Sequence, residues 1–138
     1  MTLDANARQT LETWHRMVAA GNLGEVASLC APEAVFRSPV AFTPYRGAEL
    51  VAAFLQQAVQ AFSDFRYHRT FTSGKRDVVL EFSAKVGDKE LKGIDMIRFD
   101  ESGRIVDFEV MVRPASGLQA LGAEMARRMT PILAARQG

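Results

Sequence analysis

The hydrophobic period of this chain changes at Phe65, and that change constrains the fold more than any other feature. Upstream, apolar residues recur at the spacing of a helix face. Downstream they alternate, as on strands whose side chains point to opposite faces. Ala7, Leu11, Trp14 and Val18 form one helical stripe, which Asp4 can cap and Gly21 can end. A shorter helix is expected over 23–29, stopped by Pro32. Residues 34–38 read as a short strand and 39–46 as a loop. Residues 47–61 read as a longer helix built on Leu50, Val51, Phe54, Leu55 and Val59.

Four strands are predicted beyond the change, over 65–72, 77–86, 90–99 and 104–113. Ser73-Gly74-Lys75, Gly87-Asp88 and Asp100-Glu101-Ser102-Gly103 supply the turns. Residues 114–138 form an amphipathic helix through Leu118, Leu121, Met125 and Met129, with Thr130-Pro131 placed to restart a last turn. Arg127-Arg128 reads as its solvated face. Helices followed by an antiparallel meander predict an α+β domain. A curved antiparallel sheet packed against N-terminal helices, with a C-terminal helix beside them, makes a cone with an open mouth. The 138 residues fit one domain, 1–138, large enough for a single core and a cavity.

The charge balance narrows the partners. Seventeen basic and 16 acidic residues leave a net charge of +1, which gives no long-range pull on phosphate backbones or anionic lipid. No apolar run approaches the roughly 20 residues of a membrane span, and Met1 to Asp4 lack the basic and apolar regions of a signal peptide. Cys30, the single cysteine, sits in an apolar stretch and reads as a buried structural thiol in a reducing compartment. A cytoplasmic location is expected, with no nucleic acid and no membrane as partner.

Alternation also sorts the sheet faces. Val106, Phe108, Val110 and Val112 oppose Asp107, Glu109, Met111 and Arg113; Val78, Leu80, Phe82 and Ala84 oppose Val79, Glu81, Ser83 and Lys85. The apolar sets are predicted to face the helices. By the same rule Leu91, Gly93, Asp95, Ile97 and Phe99 share the inner face, so Asp95 lands among apolar residues with Gly93 leaving space beside it. A carboxylate there loses solvation unless protonated, paired or hydrogen-bonded, which marks a functional site. The competing reading is a buried acid satisfied by backbone amides or an arginine. His15 and His68, the only histidines, are too few and too scattered for a metal site. Neither metal nor cofactor is expected.

The segment Ile94-Asp95-Met96-Ile97-Arg98-Phe99-Asp100-Glu101-Ser102-Gly103-Arg104-Ile105 resembles the strand-turn-strand of ketosteroid isomerases. These belong to the NTF2-like group, with the SnoaL-like cyclases and the limonene-type epoxide hydrolases. Gly21, Ala34-Val35-Phe36-Arg37-Ser38-Pro39, Tyr45-Arg46-Gly47 and Ala53-Phe54 match in kind and order. The resemblance implies a cone-shaped barrel and a homodimer through the outer sheet face. It also implies an isomerase mechanism, with a carboxylate base and an oxyanion hole made of a tyrosine and a protonated aspartate. Asp95 matches the aspartate, but the tyrosine's place falls on Trp14 and the base's place on Ser38. An epoxide hydrolase needs an arginine where Gly93 stands.

The expectation is therefore a protein that binds a small, mostly apolar molecule, with Asp95 as polar handle. Trp14, Phe36, Phe54, Leu80, Phe82, Phe108 and Val110 are expected around it, with Phe42 helping to close the pocket. The alternative is a cofactor-free isomerase, cyclase or lyase using Asp95, with Ser38 beside it, in acid–base work. A second alternative is a ligand-free dimerisation scaffold. Its contact would be the outer face of Glu81, Met96, Arg98, Glu109 and Met111, with Arg98 paired to Glu109 or Asp107.

Overall fold

Helix α1 (Ala5–Ala20) starts where Asp4 accepts a bond from the Ala7 amide, and ends at Gly21, whose φ of 65° lets Asn22 and Gly21 bond back to Met17 and Val18. The computed structural model describes residues 2–137; Met1 and Gly138, which the sequence analysis included, lie outside the described residues. A short 3-10 turn (Val26–Leu29) stands where a helix was expected over 23–29. Strand β1 (Cys30–Arg37) follows directly and runs through Pro32, because a register shift between Cys30 and Val35 spares the proline a ladder bond. A two-residue strand β2 (Tyr45–Arg46) and helix α2 (Ala48–Ala61) complete the first half.

Strands β3 (Ser63–Ser73), β4 (Asp77–Val86), β5 (Lys89–Phe99) and β6 (Ile105–Arg113) form the predicted antiparallel meander. The curved, unclosed sheet has the order β2-β1-β6-β5-β4-β3. Its one parallel pair, β1 with β6, inserts the N-terminal strand beside the last one. Helix α3 (Ala115–Gln137) is continuous. Pro131 does not restart it; the helix carries the proline inside, and the Thr130 hydroxyl donates to the Ala126 carbonyl at 2.6 Å. Arg128 is not simply solvated either: it bonds Glu124, the Gln57 side chain and the Gln60 carbonyl, tying α3 to α2.

Inward alternation holds on β4 and β5, where Val78, Leu80, Phe82, Ala84, Leu91, Ile97 and Phe99 are buried. On β6 it holds at Phe108 and Val110 and shifts by one only at the start of the strand. A bulge between the pairs Arg98–Asp107 and Phe99–Ile105 makes Val106 the extra residue, so the buried side chain is Ile105 and Val106 is half-buried. The outer face differs from expectation in two places. Glu81 is only 6% exposed. It is gripped by both Arg69 nitrogens at 2.8 and 2.7 Å and by Lys92 at 3.0 Å, which hold its carboxyl down at about 2. Arg98 pairs with Asp77 at 2.9 Å, while Asp107 is taken by Arg37 at 3.1 Å.

Gly93 does not leave open space beside Asp95. A Cβ built there would strike the Met111 carbonyl and come within 2.6 Å of the Phe82 ring, Gly93's cross-strand partner. The glycine exists so that this ring can lie across the strand. Gly93→Ala is expected to destabilise by about 1–3 kcal/mol, lowering Tm by roughly 5 °C or more. An unchanged melting curve would show that the strand has room the geometry denies.

Candidate functional site

Coverage of the sheet's concave face is incomplete. Helices α1, α2 and α3 leave a cavity of about 280 Å³, near the lower limit of ordinary small-molecule pockets. Its walls are Trp14 and Val18 of α1, Phe36 of β1, Phe54, Leu55, Ala58 and Val59 of α2, Phe62 just after it, Phe65 and Tyr67 of β3, and Phe108 and Val110 of β6. Helix α3 supplies a whole side through Leu121, Met125, Ala126, Met129 and Leu133. Its place was not legible in the sequence, because an amphipathic stripe says which face is covered but not by what.

The aromatic residues are held by one another. Phe36 stacks on Phe54 with centroids 5.0 Å apart, Tyr45 tilts against Phe54 at 4.3 Å, and Trp14 meets Phe108 edge to face at 5.3 Å. Of the residues expected to line the pocket, Trp14, Phe36, Phe54, Phe108, Val110 and Asp95 do so. Leu80 and Phe82 do not: they are 0% and 1% exposed and fill the core beneath. Side chains from α1 and β3 pack over that row, so an inward direction on the sheet does not guarantee a view of the cavity. Phe42, expected to close the mouth, is wholly exposed on the 38–44 loop, whose residues at the cavity are Ser38, Pro39 and the largely exposed Val40.

Asp95 reaches the cavity from the middle of β5, between Leu80 and Val110 on the neighbouring strands. It is 5% exposed. Burial pushes its carboxyl up to about 7, and a hydrogen bond from Tyr67 pulls the other way. That bond runs from the Tyr67 hydroxyl to Asp95 Oδ2 at 2.7 Å, and the Tyr67 oxygen in turn accepts from Trp14 Nε1 at 3.0 Å. Oδ1 has no protein partner. No buried side-chain polar atom among the described residues is left unpaired, so Oδ1 opens to the cavity that Asp95 lines. Among the described residues no arginine and no backbone amide reaches this carboxyl; its partner is the Tyr67 phenol.

Tyr67 is the residue that sequence reasoning missed. The tyrosine of an oxyanion hole was sought on the first helix, where Trp14 stands. The phenol comes instead from β3, opposite Phe82. The signal was present, since Phe65 and Tyr67 alternate with Arg66 and His68 on that strand. Ser38 does line the cavity, and its Oγ accepts from the Val40 amide at 3.1 Å. His15 lies half-buried with its ring edge-on to Tyr67 at 5.1 Å, and desolvation lowers its pKa. His68 is exposed against Ser83 on the outer face. Cys30 is buried, with its thiol pushed up to about 11 by desolvation, which makes it inert as a nucleophile.

Comparison with known proteins agrees with this architecture. A model of the SnoaL-like domain matches residues 11–108. A crystal structure described as a steroid delta-isomerase from Pseudomonas aeruginosa is 59% identical. The match covers 96% of this chain and 97% of that one, with a TM-score of 0.92. A protein from Silicibacter pomeroyi DSS-3, described as uncharacterized, conserved in bacteria and cystatin-like in fold, is 36% identical. It covers 88% of this chain and 85% of its own, with a TM-score of 0.82. An NTF2-like protein of unknown function from Mesorhizobium loti matches in fold alone, at 20% identity and a TM-score of 0.69, over 83% of this chain and 100% of that one. No curated protein matches the chain. No helix among the described residues is long and apolar enough to cross a membrane. With its SnoaL-like match over most of its length, its NTF2-like neighbours and its helix-covered sheet, the chain belongs to the SnoaL-like family.

Proposed function

We propose that the protein binds a small, mostly apolar molecule bearing a carbonyl or phenol, with Asp95 as the polar handle. The observation that carries this is the unpartnered Asp95 Oδ1 facing an apolar cavity. Apolar walls supply affinity, and one polar contact fixes orientation. A reducing cytoplasm suits the single free thiol of Cys30.

A second reading, isomerisation, is favoured by the steroid delta-isomerase at 59% identity and by the Asp95 carboxyl lying at about 7, where it exchanges protons at neutral pH. Ionised Asp95 would take a proton from the carbon beside a ketone and return it to the far carbon of the conjugated enolate, with no net change in protons. Against this stands the lack of a second carboxyl in the cavity. One carboxyl does not at the same moment donate to the enolate oxygen and serve as base at carbon.

A second copy of the chain is the partner proposed for the outer sheet face. Met96 and Met111 are 37% and 47% exposed there. The ion pairs Arg98–Asp77 and Arg37–Asp107 flank them with both signs of charge, as a self-complementary two-fold contact requires.

Four outcomes are expected. Asp95→Leu, which removes the handle at similar volume, weakens binding of an aromatic ketone about tenfold, the value of one hydrogen bond. Equal affinity for variant and wild type would sink the binding proposal. Asp95→Asn keeps a donor but exchanges no proton, so it retains ketone binding while losing any conversion of a β,γ-unsaturated ketone followed by ultraviolet absorbance. Full turnover in this variant would exclude Asp95 as the base.

The pH dependence of stability has a definite sign. The folded carboxyl at about 7 lies above its ordinary 3.8, so between these values the native state holds a proton that the unfolded chain has lost. Stability contributed by neutral Asp95 is complete below the lower value and is lost as pH rises to the upper one, by on the order of 4 kcal/mol. The Tm of Asp95→Asn minus that of wild type should therefore grow across this window in scanning calorimetry; His15, present in both proteins, cancels. A constant difference would place the Asp95 pKa near its ordinary value. For the dimer, Met111→Glu is expected to give monomers by sedimentation at micromolar concentration, and a monomeric wild type would remove the proposal.

A further inference from the structure

We propose that Trp14 and Tyr67 form a one-way relay of hydrogen-bond donors that confines the exchangeable proton of Asp95 to the oxygen facing the cavity, so that this end of the pocket selects ligands carrying an acceptor such as a ketone. The ligand clause rests on the binding reading above; the relay itself rests on geometry alone.

The indole N–H is a donor with no acceptor capacity. At 3.0 Å from Trp14 Nε1, the Tyr67 oxygen must therefore accept. The phenol has one hydrogen of its own, and the acceptor within reach is Asp95 Oδ2 at 2.7 Å. Among the described residues, Tyr67 has no other polar contact to which that hydrogen could turn. A proton on Oδ2 pointing back at Tyr67 would strand the phenol hydrogen without a partner. Oδ2 thus remains an acceptor whether Asp95 is ionised or neutral, and the proton of the neutral form belongs on Oδ1.

Packing fixes the relay in place. Trp14 is 3% exposed and is held edge-on by Phe108, while the Tyr67 ring is flanked by Phe65 at 4.9 Å and by His15 at 5.1 Å. His15 is the titratable group that faces Tyr67 from α1; Leu80 and Val110, beside Asp95 on the sheet, carry no charge. Tyr67 also bonds the charged form of Asp95, and so opposes the rise that burial imposes. Tyr67 is on this account a positioning residue: it acts through Asp95.

The test needs two readouts, one without any ligand. In wild type, the indole N–H resonance of Trp14, the chain's only tryptophan, is expected to move as the Asp95 carboxyl titrates in carbon NMR. The movement should vanish in Tyr67→Phe, where the Asp95 pKa should also rise for want of its donor. It should vanish in Asp95→Asn as well, which removes His15 as its source. The second readout is calorimetric binding of 2-acetonaphthone against 2-isopropenylnaphthalene, alike in shape but without the carbonyl oxygen. Below the titration of Asp95, wild type is expected to prefer the ketone about tenfold, and Tyr67→Phe to lose most of that preference.

A Trp14 resonance indifferent to Asp95 ionisation overturns the relay. So does a Tyr67→Phe protein that keeps both its carboxyl pKa and its ketone preference. If neither probe binds wild type while the resonance coupling is present, the relay stands and the binding reading falls.

Discussion

The inner face of the meander imposes the condition that the rest of the molecule meets. Rows of buried side chains on β4, β5 and β6 each gain roughly 1.5–3 kcal/mol by leaving water, so the sheet is stable only under a cover. The covering helices are pinned at specific points. Helix α1 is anchored by Thr10 on the Gly103 carbonyl and by Asp4 on the Lys75 carbonyl and Arg76. Gly103, at a φ of 87°, allows Asn6 to pack where any side chain would collide. Arg128 clips α3 to α2. Three helices held this way over a curved surface do not meet in the middle. The cavity is what their geometry leaves.

An acid placed in that gap has few ways to exist. Water is largely excluded and no cation is near, so the carboxyl is stabilised by the Tyr67 donor and otherwise gives way by holding its proton. Glu81 makes the contrast. It is as buried as Asp95 in the same sheet, but two cations grip it on the outer face, and its pKa falls instead of rising. The two acids lie on adjacent strands with opposite electrostatics, set by what stands across from each. Glu81 is an anchor of the surface network, whereas Asp95 retains an oxygen with no partner among the described residues.

The α+β class, the meander and the inward direction of Asp95 were all legible from period and turn chemistry, because alternation reports directly on which face is buried. Where a bulge interrupts the count, alternation fails, and Ile105 takes the core place expected for Val106. Prolines misled in both directions. Pro32 sits inside β1, and Pro131 sits inside α3, since tertiary contacts override local preference at both. Pairings between elements were not legible at all. Arg98 pairs with Asp77, its neighbour on β4, rather than with Asp107 or Glu109 on β6, and Tyr67 reached Asp95 across 28 positions of sequence. Such contacts depend on sheet order and curvature, which a local pattern does not encode.

That last pairing bears on how far similarity to an isomerase extends in function. The resemblance requires one group to stabilise charge on oxygen and another to carry the proton between carbons. Here the phenol is turned onto Asp95 rather than into the cavity, and the place of the base is a serine whose oxygen caps its own loop. Among the described residues a single carboxyl lines the cavity, hydrogen-bonded by Tyr67, which Trp14 bonds in turn. On the proposed reading such a site recognises a carbonyl through the Asp95 oxygen that faces the cavity. To isomerise one, Asp95 would have to leave the oxygen and act at carbon, giving up in the transition state the contact that bound the ground state. On the proposed binding reading the site therefore holds its ligand rather than converting it, even where the fold and most of the sequence are shared with an isomerase.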